Sequence, residues 1–192
     1  MILRRLLSSL RRLYVWVYSK SNILYYRAAY PRLTLPLDAI IKSGAVISVT
    51  DGGIIRIGRN VKFSRNCQVI ARGGTLNIGD NVQIGDGAII TSMNHVQIGN
   101  NTLIAEYVVI RDQDHDYRSR PIRNSGFISE KIMIGEDCWL GSKATVLRGS
   151  TIGDGAVIGA HALLRGDVEA YALAVGSPAK TVKSLPRGNG PR

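Results

Sequence analysis

Residues 134–164 read IGEDCW LGSKAT VLRGST IGDGAV IGAHAL L, with an aliphatic residue at every sixth position: Ile134, Leu140, Val146, Ile152, Ile158 and Leu164. The fourth residue after each is small or β-branched, as at Ala144, Ser150, Ala156, Ala162 and Val168. A period of six is too long for a helix face and too regular for chance hairpins. It suits short strands joined by tight corners, each strand pointing one apolar residue inward. Three hexads make a triangular coil of 18 residues, the step from Ile134 to Ile152.

The same step runs through Ile57, Phe63 and Val69, then Ile78, Ile84 and Ile90, then Ile98, Ile104 and Ile110. Glycine follows the apolar residue at Gly58, Gly79, Gly99, Gly135 and Gly153. Two steps are longer, 21 residues from 57 to 78 and 20 from 78 to 98. The surplus falls at Gly52-Gly53, Gly73-Gly74 and Asn94-His95, which predicts widened corners there. Each coil buries its apolar edges only by stacking on its neighbours, so the ends need caps.

A chain of 192 residues suits one domain with its own core. With 45% apolar and 20% charged residues it is neither a disordered tail nor an all-helical coil. No run approaches the roughly 18 apolar residues of a membrane-spanning helix. Arg4, Arg5, Arg11 and Arg12 interrupt the start, which argues against a secretory signal and for a cytoplasmic protein. The net charge of +11 sits at the two ends: residues 1–37 hold seven Lys/Arg and no acid, residues 171–192 hold four and no acid. The neutral middle is unlike a nucleic-acid binder, which spreads a basic stripe over its body. Cys67 and Cys138 both fall on the fourth-after-apolar slot and read as small buried hydrophobes.

Between Ile110 and Ile134 the repeat fails. Its phase would continue through Asp116, Ile122 and Ile128, but the small slots would then be Arg120, Gly126 and Ile132. A protruding loop at about 111–131 fits better, and an insertion of that length is usually functional. It opens Arg111-Asp112-Gln113-Asp114-His115-Asp116-Tyr117. A histidine among carboxylates is either a solvated cluster or a general base; its place at the start of the one long excursion favours the base. His95 lies at a widened corner, where it lines either the acceptor side or nothing in particular. His161 reads as a wall or surface residue.

The repeat resembles the hexapeptide-repeat acyltransferases over about residues 40–180, which implies an all-β, left-handed parallel β-helix. The loop narrows the resemblance to the sugar and polysaccharide O-acetyltransferases, whose D-x-D-H-x-Y is matched by Asp112, Asp114, His115 and Tyr117. Pro121-Ile122 and Ile134-Gly135…Trp139-Leu140-Gly141 follow as in that branch, with Ser125 where glutamine is common. The resemblance implies His115 as general base, with Asp112, Asp114 and Tyr117 binding or orienting the acceptor; His95 joins that acceptor set only through its place at the widened corner. It implies acetyl-CoA as co-substrate, laid between two subunits of a homotrimer along Trp139, Gly141, Ser142, Gly159 and Ala160. Arg165, Lys180 and Lys183 would meet its phosphates, the last two within Val175-Gly-Ser-Pro-Ala-Lys-Thr-Val-Lys183. No metal is implied, because histidines at 95, 115 and 161 lack the close pair that the γ-class carbonic anhydrases of this fold require. The resemblance implies a saccharide acceptor, free, nucleotide-linked or lipid-linked. An N-acetyltransferase acting on an amino sugar nucleotide and a noncatalytic scaffold or binding module are the alternatives.

At the N-terminus Leu3, Leu6, Leu7, Leu10, Leu13, Tyr14 and Val17 recur at helical spacing among the arginines. This basic amphipathic segment, 1–37, is expected mainly to cap the first coil, a role compatible with lying on an anionic membrane at the inner face. The β-helix is expected over 38–180, with 181–192 as a basic tail.

Overall fold

The computed structural model describes residues 2–187, with side chains from Leu7 onward except Ser8. The side chains of Leu3, Arg4, Arg5 and Leu6, and the last five residues of the expected tail, lie outside the described residues. One helix, α1 (Ile2–Ala29), is followed by short strands in three parallel sheets, which form the three faces of a prism. Among the described residues, the first face has seven strands, the second eight, the last of them antiparallel, and the third six. One circuit is Ile54–Ile57, Lys62–Phe63 and Gln68–Arg72; the next, Thr75–Ile78, Gln83–Ile84 and Ile89–Ser92, stacks on it in register, with Ile57 over Ile78, Phe63 over Ile84 and Val69 over Ile90. This is the three-faced parallel β-helix that the hexad predicts.

The inward positions and the fourth-after slots together form the core, and both cysteines are buried in it. Burial pushes the Cys67 thiol up to about 12 and that of Cys138 to about 11, so neither is a thiolate at neutral pH. The third residue after an inward position turns the corner with positive φ: Asn60, Asn81 and Asn101 at 56–59°. Asparagine tolerates this left-handed conformation, and here it also stacks, Asn60 Nδ2 donating to Asn81 Oδ1 and Asn81 Nδ2 to Asn101 Oδ1, each at 3.0 Å. The glycine after the inward residue has a different cause. A Cβ on Gly99 would lie 2.5 Å from the Gly135 carbonyl carbon of the next coil, so the coils stack only because none is there.

The domain limits differ from those expected. The first coil begins at Leu33–Thr34, which pairs with Ile55–Arg56, ahead of position 38. At the other end Lys180–Ser184 turns back antiparallel on Ala172–Val175, so part of the expected tail belongs to the second face.

The cap also differs. The end of α1 covers the first coil through Ser19, Ile23 and Tyr26, all buried. Ser19 Oγ donates to Ala39 O (3.2 Å) and accepts from Ile41 N (2.9 Å); Tyr26 Oη donates to Ala45 O (3.0 Å). Leu7, Leu10, Leu13, Tyr14 and Val17, read as a possible cap, are instead exposed.

Candidate active site

The 111–131 excursion leaves the third face after Val109–Arg111 and rejoins the first face at Ile132–Ile134. It therefore springs from the edge where the preceding coils widen at Gly52-Gly53, Gly73-Gly74 and Asn94. Its root is Asp112, 0% exposed. Asp112 Oδ1 accepts from Met93 N (2.8 Å); Oδ2 accepts from Asn94 N (2.8 Å) and Ser92 Oγ (3.0 Å). Asp112 thus holds the loop on the coil below and is out of reach of an acceptor.

Above this root the loop forms an antiparallel hairpin, Gln113–His115 with Phe127–Ser129, in which His115 faces Phe127. The rings of His115 and Phe127 lie 4.4 Å apart at 33°. The carboxylates around the histidine are all engaged elsewhere. Asp114 Oδ2 accepts from Arg148 Nε at 2.7 Å, and Arg148 also pairs with Glu130, just past the returning strand. Asp116 pairs with Arg118 at 2.7 Å, and the hydrogen bonds from that guanidinium hold its carboxyl down to about 2. His115 is therefore exposed and held by backbone pairing and the Phe127 ring. Tyr117 is exposed in the same loop, and Ser125 donates to Ile122 O at 2.7 Å, closing the loop tip. His95 is half-buried and opens the first-face strand just after the corner that Asp112 binds.

Arg148, Glu130 and Phe127 were not among the candidates from sequence. Arg148 is buried, and ties Asp114 on the first hairpin strand to Glu130 just past the second. Nothing in the hexad marks it, because its partners come from a segment without the period.

The donor-side candidates gather elsewhere. Trp139 lies on the second face, 52% exposed, in register with Leu103, 49% exposed. Gly141 and Ser142 follow at the corner between second and third faces, and Gly159 and Ala160 occupy the equivalent corner one coil on. Ser142 Oγ donates to Glu106 O at 3.2 Å. Lys180 and Lys183 stand exposed on the strand added to the second face. Arg165 is not with them; it is exposed at the edge that carries the loop.

Comparison with known proteins agrees with the architecture. The Bacterial transferase hexapeptide (six repeats) family matches residues 131–166. WbbJ of Escherichia coli K12, whose name assigns it to lipopolysaccharide biosynthesis as an O-acetyl transferase, is 34% identical over 145 residues, 70% of this chain and 74% of its own length. The chain belongs to the hexapeptide-repeat transferase family. Rv3034c of Mycobacterium tuberculosis, named as an acetyltransferase, is 36% identical over 166 residues, 85% of this chain. The match spans 55% of that protein's length. AntD, an N-acyltransferase from Bacillus cereus solved with dTDP and 3-hydroxybutyryl-CoA, superposes with a TM-score of 0.66 at 19% identity, over 78% of this chain and 81% of its own. That likeness is one of fold.

Proposed function

We propose that the protein is an acetyl-CoA-dependent O-acetyltransferase acting on a saccharide hydroxyl, with His115 as general base, and that each site is built from two protomers of a homotrimer. One observation carries the reading: the histidine and the donor-side ledge lie on different edges of the prism. The loop springs from the edge between third and first faces; Trp139, Ser142, Ala160 and Lys180 line the second face and its edge with the third. A prism packed side by side on copies of itself brings the first edge of one copy to the second edge of another.

The ledge suits the donor's chemistry. Trp139 and Leu103 offer exposed apolar surface to a pantetheine arm, and Lys180 and Lys183 offer cations to phosphates. The acetyl thioester supplies the electrophile. As the saccharide oxygen bonds to the acetyl carbonyl carbon, neutral His115 accepts the hydroxyl proton. The carbon–sulfur bond then breaks, and the imidazolium returns that proton to the thiolate, leaving an acetyl ester and free thiol. The WbbJ similarity supports oxygen over nitrogen as the acceptor atom.

Complementation tests both halves. His115→Ala should lower turnover about 10²- to 10⁴-fold while acetyl-CoA binding by calorimetry is kept. Trp139→Ala with Lys180→Ala should weaken acetyl-CoA binding. Co-assembling the two inactive variants should restore part of the activity, since some interfaces then carry both wild-type edges. Near-full activity of His115→Ala overturns the base; failure of mixed trimers to recover activity overturns the shared site.

A further inference from the structure

We infer that α1 is a docking surface for an anionic lipid bilayer, and that the protein stands on the membrane by the N-terminal end of its β-helix. The inference is independent of the acetyl-transfer reading. At about 100° per residue, the side chains that meet the first coil, Ser19, Ile23 and Tyr26, fall in one sector of α1. Leu10, Leu13, Val17 and Leu24 fall in the opposite sector, each 51% to 61% exposed, while Leu7 and Tyr14 flank it and line the clefts towards the first coil. The helix therefore meets the protein through a mixed face, with Ile23 and Tyr26 buried beside Ser19, and leaves a second, apolar sector turned away from it, which a surface helix that serves only as a cap does not need.

Charge selects the occupant. Residues 1–37 hold seven Lys/Arg and no acid, and the first turn of α1 has no acidic residue. Arg11 and Arg12 line one cleft between α1 and the first coil, with Lys20 and one acid, Asp38, and Arg11 lines a second with Lys42 and Arg65. An apolar helix face backed by cations is the pattern of an interfacial helix on anionic lipid. A second copy of the chain would bring the same positive charge and repel. Because the apolar sector faces away from the coils, α1 lies flat on the surface with the coil stack rising from it. The 111–131 loop leaves the fourth coil, three strand spacings or roughly 15 Å above the first.

Vesicle sedimentation of the full chain decides the matter, using phosphatidylcholine with and without 30 mol% phosphatidylglycerol, at about 0.15 M salt. Wild type should pellet with the anionic vesicles and much less with phosphatidylcholine alone. Leu10→Gln with Val17→Gln leaves Ser19, Ile23 and Tyr26 in place; it should keep the oligomeric state and circular dichroism yet bind at least tenfold more weakly. Arg11→Glu with Arg12→Glu should cut binding to the anionic vesicles by a similar factor. Wild type that stays in the supernatant overturns the inference. So do Leu10/Val17 variants that pellet as wild type, or that break up the oligomer, which would assign the apolar face to a second copy.

Discussion

Replacing Asp112 by Asn tests whether one buried carboxylate fixes the loop that carries His115. The two side chains have nearly the same shape, so packing is preserved and only the bonding changes. The carboxylate accepts three hydrogen bonds, two from the backbone N–H groups of Met93 and Asn94 at 2.8 Å and one from Ser92 Oγ at 3.0 Å. An amide turns one of the two oxygens into a donor. Whichever way it is placed, one backbone N–H then faces an NH₂ group and loses its acceptor; the Ser92 hydroxyl can rotate to adapt. A hydrogen bond to a charged group contributes about 1.5–3 kcal/mol, and at about 1.4 kcal/mol per factor of ten the affected amide should exchange about 10- to 150-fold faster. Native-state hydrogen exchange reads this at Met93 and Asn94. On the proposed function, turnover should fall while acetyl-CoA binding is kept. Unchanged protection at both amides would refute the assignment, and so would a loss spread evenly over all coils, which would make Asp112 an ordinary core residue.

Three further outcomes follow from particular contacts. Asp116 titrates in the folded state at about 2, below the ordinary 3.8, chiefly through its hydrogen bonds to Arg118. Its contribution to loop order is therefore present above that ordinary value and lost as the pH falls from about 4 towards 2. In Arg118→Gln the carboxyl titration, followed by NMR, should move back up; a titration that stays near 2 would assign the shift to another group. Ile23→Ala removes a fully buried cap side chain and should lower the unfolding free energy by about 2–5 kcal/mol, read by urea denaturation, whereas Leu10→Ala on the exposed sector should change it by less than about 0.5 kcal/mol. In Gly141→Ala the new methyl would lie 2.6 Å from Ala160 N of the next coil. Forcing the coils apart should cost about 1–3 kcal/mol and raise the KM for acetyl-CoA; a variant as stable as wild type would mean that the coils yield freely there.

The parts of this molecule that repeat are the parts that a single sequence displays. A coil of the β-helix sees only the coils above and below it, so each must present the same inward residue, the same small slot and the same left-handed corner. That is why Ile134 to Leu164 sufficed for the fold and why the gap after Ile110 located the loop. The contacts that position His115 obey no such constraint. Arg148 reaches Asp114 across 34 residues, and Asp112 reaches Ser92 across 20, and neither partner is marked by a period. The cap misleads for a related reason. An open coil end presents unpaired backbone groups, here the Leu35, Ala39 and Ala45 carbonyls and the Ile41 amide, and these need hydrogen-bonding partners as much as they need apolar cover. Arg27, Ser19 and Tyr26 supply those partners, with Ile23 alone among them wholly apolar. A search for helical hydrophobicity passes over such a face and selects Leu7 to Val17, the face of α1 that the coils leave uncovered.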